Sequence, residues 1–263
     1  MAVAAATVCH AGIAVAQFSR QMSEEIKMTS RALRTTLALA GLLLAVTPAW
    51  SQQRRGFHER DGAFRIHVGD FRPDGDSEYW NDKERDFTGG LDDLENATFG
   101  MDYLLPFNSR FSLMFSGTAY AGDTTQSYRR FVDNRGDRIS HDTTLAVASA
   151  TVGVVLHPFG SNAPVSPYVG AGGGSYFWGL EEDGDFIDFG RRNEVFSANL
   201  QDEGVAFGVY YLLGVEAPIT RRVSIFGEGR WTQAEDELSD DFEDFGKIDL
   251  SGRSFLVGLT WNL

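Results

Sequence analysis

The stretch Ser254-Phe255-Leu256-Val257-Gly258-Leu259-Thr260-Trp261-Asn262-Leu263 decides the fold. Phe255, Val257, Leu259, Trp261 and Leu263 fall on one side, and Ser254, Gly258, Thr260 and Asn262 on the other, with Leu256 the exception. Side chains alternate across a β-strand with period two, so this is a strand with one apolar face and one small or polar face.

The pattern recurs upstream. Eight segments carry it, at about 63–72, 96–105, 111–121, 143–156, 166–180, 205–217, 223–232 and 252–263. The second sets Ala97, Phe99, Met101, Tyr103 and Leu105 against Thr98, Gly100, Asp102 and Leu104. The sixth sets Phe207, Val209, Tyr211, Leu213 and Val215 against Gly208, Tyr210, Leu212, Gly214 and Glu216. The seventh sets Val223, Ile225 and Trp231 against Ser224, Glu228 and Arg230. The fourth is weaker, with small or aliphatic residues on both faces. The fifth is so rich in glycine that its faces stay unassigned.

The connections alternate in length. Three are short, around Pro106–Arg110, Phe159–Pro164 and Pro218–Arg222. Four are long, at 73–95, 122–142, 181–204 and 233–251, and they hold nine, four, eight and eight acidic residues in turn. Such segregation suits apolar strands fenced by solvated charged loops. Strands can cross a bilayer only as a closed ring, because hydrocarbon leaves no partner for an unpaired backbone group. A spanning strand needs about 9–11 residues, which these segments supply. The expected fold is all-β: an eight-stranded antiparallel up-and-down transmembrane β-barrel with four long acidic external loops and short periplasmic turns. Tyr103, Tyr168, Trp178, Tyr211, Trp231 and Trp261 lie near strand ends, where an interfacial aromatic girdle is expected.

The first 51 residues read as address. Ala32–Val46 is apolar, Arg31 and Arg34 precede it, and Pro48-Ala49-Trp50-Ser51 follows. That order is a signal peptide, and the run is too short to span a bilayer as a helix. Cleavage is expected after Ser51, leaving 52–263 as the barrel domain and 1–51 as leader. Met28 sits where an ordinary signal peptide would start, which makes 28–51 the true signal and 1–27 an upstream extension. The one cysteine, Cys9, goes with the leader, so no disulfide framework or multi-cysteine metal site is expected. The 263 residues carry 23 basic and 37 acidic side chains, a net charge of −14. Removing Arg20, Lys27, Arg31, Arg34, Glu24 and Glu25 leaves 19 basic and 35 acidic, or −16. So acidic a chain is unsuited to wrapping nucleic acid.

Pro167-Tyr168-Val169-Gly170-Ala171-Gly172-Gly173-Gly174 resembles the fifth-strand signature of small outer-membrane barrels of the OmpA-like, opacity-protein and OmpW-like type. In that signature a short turn is followed by Pro-Tyr-x-Gly-x-Gly. Phe255–Leu263 resembles their last strand, although such strands usually end in an aromatic residue and this one in Leu263. The resemblance covers roughly residues 57–263. It implies export to the cell outer membrane of a Gram-negative bacterium, recognition by the outer-membrane assembly machinery, and outer-membrane lipid and lipopolysaccharide as partners. No periplasmic peptidoglycan-binding domain is expected after the last strand.

Strand parity aims Arg65, His67, Asp102, Glu216, Glu228 and Arg230 inward. An eight-stranded barrel is just wide enough for side chains to fill it, so these residues are expected to pair as a polar cluster; a narrow conductive path or gate is the sharper alternative. His58, His67, His141 and His157 offer bases for a hydrolase, but no motif places a serine and a carboxylate beside one of them. No catalytic, cofactor or metal residues are therefore nominated. Asp74-Gly-Asp76-Ser-Glu78 and Glu181-Glu182-Asp183-Gly-Asp185 offer oxygen ligands for divalent cations that would bridge to lipopolysaccharide, though without calcium-loop spacing. Arg129, Arg130, Arg135 and Arg138 set loop 122–142 apart, as residues suited to direct phosphate contact, with Gly136 fitted to a tight turn. The expected role is structural, surface-interacting or porin-like, without catalysis. The alternatives are a channel for small or hydrophobic solutes, a lipid-modifying enzyme, and a soluble ligand-binding barrel.

Overall fold

Period-two alternation becomes a ring because each strand finds its sequence neighbour and the last finds the first. The computed structural model describes residues 62–133, 135–159, 165–189 and 194–263; the leader and its cleavage point lie outside them. The ring strands are β1 (Ala63–Pro73), β2 (Asn96–Pro106), β3 (Phe111–Val132), β4 (Arg138–Leu156), β5 (Ser166–Asp188), β6 (Glu194–Pro218), β7 (Val223–Glu237) and β8 (Gly252–Asn262). All pair antiparallel in chain order. β1 closes on β8 from Ala63↔Asn262 to Pro73↔Gly252, so the ring has no free edge. The eight segments expected from the alternation are these eight strands.

The outward face is apolar. Phe64, Ile66 and Val68 on β1, Phe99 on β2, Leu213 and Val215 on β6, and Phe255 and Val257 on β8 are 36–63% exposed. A belt of this extent marks a surface meant for lipid rather than water. At the short-turn end, side chains close the turns. Asn108 Oδ1 accepts from the amides of Arg110 and Phe111 at 2.8 and 2.9 Å, and Thr220 Oγ1 accepts from Val223 at 3.0 Å.

Three expectations need correction. First, much of two long connections is strand: β3–β4 stay paired out to Val132↔Arg138, and β5–β6 to Asp188↔Glu194. Period two continues there because Gln126, Tyr128, Ile139, His141, Glu182 and Phe186 keep pointing into the mouth. Second, Tyr168 and Trp178 are not girdle residues. They are buried in the lumen, since the glycine-rich β5 turns its even-numbered positions inward. Tyr103, Tyr211 and Trp261 do face out. Third, the other two long connections are not simply solvated.

Those two connections fold over the mouth as a lid. The first holds helix α1 (Glu78–Asp86) and a 3₁₀ turn, Leu91–Leu94; the second holds a 3₁₀ turn, Asp240–Phe245, and a short strand, Lys247–Asp249, paired to β7. Ser77 caps α1 by accepting from Trp80 N, and Glu78 at its start and Lys83 and Arg85 in its last turn suit the helix dipole. Tyr79, Trp80, Leu91, Leu94, Leu238, Phe242, Ile248 and Leu250 pack onto Tyr120, Leu145, Tyr176, Trp178 and Leu180 of the wall. Trp80 Nε1 donates to Asp249 O at 2.8 Å, and Asp202 takes both the amide and the hydroxyl of Ser239, at 2.7 and 2.8 Å.

Inside the ring, rings of aromatic residues lie against neighbouring backbone. A Cβ at Gly214 would run into the Tyr168 ring, and one at Gly153 into the Tyr210 hydroxyl. Gly214→Ala is therefore expected to cost about 1–3 kcal/mol through overpacking. Urea unfolding in lipid vesicles, followed by tryptophan fluorescence, measures it; an unchanged midpoint would contradict this packing.

Candidate functional site

Parity places all six lumen candidates together. Arg65 and His67 come from β1, Asp102 from β2, Glu216 from β6, and Glu228 and Arg230 from β7; all but the half-buried Glu216 are buried. Arg65 pairs with Glu216, donates to Thr260 Oγ1 at 3.2 Å, and lies between the rings of Tyr168 and Phe226, 4.8 and 4.6 Å away. Arg230 meets Glu228 at 2.8 Å and Asp102 at 3.7 Å and donates to Ser116 Oγ at 3.0 Å. Tyr168 donates to Glu228 at 3.0 Å. Three carboxylates thus meet two guanidiniums and one imidazole, with only Glu216 partly open to solvent. A buried charge left alone is far more costly than a paired one, and this mutual pairing is what allows the residues to sit there.

A serine, a histidine and an aspartate do converge, but not as a nucleophilic relay. Ser116 Oγ donates to Asp102 Oδ1 at 2.5 Å, and His67 Nε2 stands 3.5 Å from the same oxygen. The carboxylate lies between the other two. A base must take the hydroxyl proton directly, and here His67 faces the acid rather than the serine. All three are buried. His157 packs on Tyr168, with ring centroids 5.5 Å apart. His58 lies outside the described residues.

Buried side chains crowd the lumen. Leu104, Met114, Val155, Tyr168, Tyr210 and Leu212 form an apolar cluster, the ion network lies among them, and the lid core packs into the mouth. One cavity of about 40 Å³ is lined by Thr98, Thr118, Ser149, Thr151, Thr232 and Ser254, by Arg230, and by Phe71, Tyr120, Val147, Tyr176, Tyr210 and Leu250. That is room for about three waters.

A second cluster was missed in the sequence. On β5 the neighbours of Glu182, Glu181 and Asp183, are exposed acids, so this rung stands beyond the apolar belt. Glu182 itself is buried. Tyr79 donates to its Oε1 at 2.5 Å, Lys83 Nζ to its Oε2 at 2.6 Å, and His141 Nε2 lies 3.7 Å away. Burial lifts the Tyr79 hydroxyl well above its ordinary range and lowers the Lys83 ammonium. Burial, with Lys83 beside it, lowers His141 to about 4. The available signal was the spacing of Tyr79, Trp80 and Lys83 after a Ser77 cap; the acids around it read as a loop.

Four of the seven proposed cation ligands have other hydrogen-bond partners. Glu182 is taken by Lys83, Glu181 accepts from Asn199 at 2.7 Å, Asp185 from Ser197 at 2.5 Å, and Asp76 from Asn81 at 2.9 Å. Among the described residues no three His, Cys, Asp or Glu converge as a metal set.

No family model matches the sequence, and no curated protein does. Among solved structures the chain is similar to Neisserial surface protein A, at 11% identity over 77% of this chain and 96% of that one, with a TM-score of 0.43. It is similar to the outer-membrane protein OprG of Pseudomonas aeruginosa, at 12% over 78% and 97%, with a TM-score of 0.47. It is similar also to the outer-membrane protein AlkL, at 12% over 83% and 97%, with a TM-score of 0.36.

Removing the central cation should expose the network's dependence on it. Arg230→Met leaves Asp102 and Glu228 buried without their guanidinium, and is expected to destabilise the barrel by about 3–5 kcal/mol. Adding Glu228→Gln should recover part of that loss. Equilibrium unfolding in vesicles reads both; equal stability of wild type and Arg230→Met would contradict the pairing.

Proposed function

We propose that this chain is an outer-membrane β-barrel that works at its surface rather than through its lumen. The carrying observation is the crowded interior: an ion network set among apolar side chains, with a lid core beyond it in the mouth of a closed ring. The apolar belt supports membrane residence, and the closed ladder supports a spanning ring. The absence of a free edge also allows it to stand in lipid as a monomer. The Ser116–Asp102–His67 order and the burial of all three support a non-enzymatic role. On this reading the long hairpins face outward and the short turns face the periplasm.

The head then carries the function. The tip of β3–β4 reaches about ten residues past the belt, roughly 30 Å along the strand. Asp133 Oδ1 accepts from Arg135 and Asp137 amides, both at 2.8 Å, and Gly136 takes φ +88°, so the tip is a built turn. Arg129, Arg130, Arg135 and Arg138 are exposed there, beside Phe131, which meets Phe189 of the neighbouring hairpin at 5.4 Å. These guanidiniums suit the phosphates of lipopolysaccharide.

Conductance separates this reading from a channel. The purified barrel in a planar bilayer is expected to give no discrete current steps. Reproducible unitary steps that change on substitution of Arg230 would overturn the surface reading in favour of a narrow pore. Replacing Arg129, Arg135 and Arg138 together by Gln is expected to lower lipopolysaccharide binding several-fold, with the effect weakening as salt rises.

A further inference from the structure

The lid is held by apolar packing and by buried carboxylates of the wall. Asp202 on β6 takes Ser239 of the second connection. Glu182 on β5 takes both polar side chains that α1 turns inward, Tyr79 and Lys83. No other ion pair among the described residues ties the buried face of α1 to the wall; Arg130 meets Asp86 at 3.6 Å on the exposed side. His141 on β4 completes the cluster, 3.4 Å from Lys83 Nζ and 3.7 Å from Glu182. Its ring is stacked on Phe186 at 4.9 Å and set edge-on to Phe87 at 4.7 Å, so aromatic surfaces enclose it.

We propose that Glu182, Lys83 and His141 form an acid-released latch that holds α1 across the barrel mouth at neutral pH and frees it on acidification. The proposal rests on the reading of the chain as a closed barrel. A proton on His141 sets a second cation against Lys83 in a space with one carboxylate, and that repulsion weakens the clasp.

The surrounding charges support that sign. Tyr79 and Lys83 face Glu182 from α1, His141 from β4, and Tyr128 from β3; Asp142 acts on His141, and Asp86 on Tyr128. With the lid closed, His141 is held near pH 4 by burial and Lys83. Once the lid lifts, the ring meets water and returns towards its ordinary value. The released form therefore takes up the proton first, and falling pH between about 6.5 and 4 shifts the balance towards release. Each pH unit in that window is worth up to about tenfold in the closed-to-open ratio.

Hydrogen exchange of the full exported chain in lipid nanodiscs, at pH 7 and pH 4 and corrected for the chemical exchange rate, tests the latch. Peptides across 78–94 are expected to lose at least tenfold in protection at pH 4, while β1, β2 and β8 peptides keep theirs. Glu182→Gln should release 78–94 already at pH 7. The triple variant Glu182→Gln, Lys83→Met and His141→Gln removes both charges and the imidazole, and should make protection of 78–94 nearly independent of pH. Protection of 78–94 that is unchanged between pH 7 and pH 4 would overturn the latch. So would an equal acid loss in the wild type and in the triple variant. Loss of barrel and lid protection together at pH 4 would instead overturn the closed-barrel reading on which the latch rests.

Discussion

Closure of the backbone ladder is the constraint from which the rest follows. A strand in hydrocarbon has no water to satisfy its amides and carbonyls, so the β1–β8 seam must form as fully as every other pairing. Once Ala63 stands opposite Asn262 and Pro73 opposite Gly252, the register of the whole ring is set. A slip of one residue would turn Arg65 and His67 towards lipid and Phe64 and Ile66 into the lumen. The inward charges therefore act as a register lock as much as a source of stability. Arg65 finds Glu216, and Arg230 finds Glu228 and Asp102, only when each strand is in place.

A narrow ring then dictates how its interior is filled. Large aromatics lie across glycine backbone, as Tyr168 does over Gly214, and short hydroxyl side chains leave a small space above the ion network. Above that space the composition changes. The wall becomes apolar at Leu145, Tyr176, Trp178 and Leu180, and two connections fold inward to cover it. The lid is thus a small hydrophobic core built on the end of a barrel. Glu182, the buried carboxylate that takes Lys83, lies where two unequal supports meet: apolar packing below and a charge clasp beside it.

The fold was legible because period two survives in almost every strand. The six lumen residues were legible for the same reason, since parity alone sends Arg65, His67, Asp102, Glu216, Glu228 and Arg230 to one side. Three things were hidden. Gly170 to Gly174 give β5 no facial contrast, so Tyr168 and Trp178 read as girdle residues when they are buried. The continuation of β3 to β6 past the belt was masked by charge, because a strand that leaves lipid loses its apolar outward face while keeping an inward one. The lid was masked by its own acids. Tyr79, Trp80, Leu91, Leu94, Phe242 and Ile248 are scattered among carboxylates, and only the folded chain gathers them into one core.

The most direct test of the account is the mobility of the outer-membrane fraction on a denaturing gel run cold, with and without boiling. A closed eight-stranded ring in lipid should resist detergent until heated. The account expects the protein in the outer-membrane fraction, with an unheated band that runs ahead of the boiled one. A protein recovered from the soluble periplasm, with the same mobility before and after heating, would contradict it.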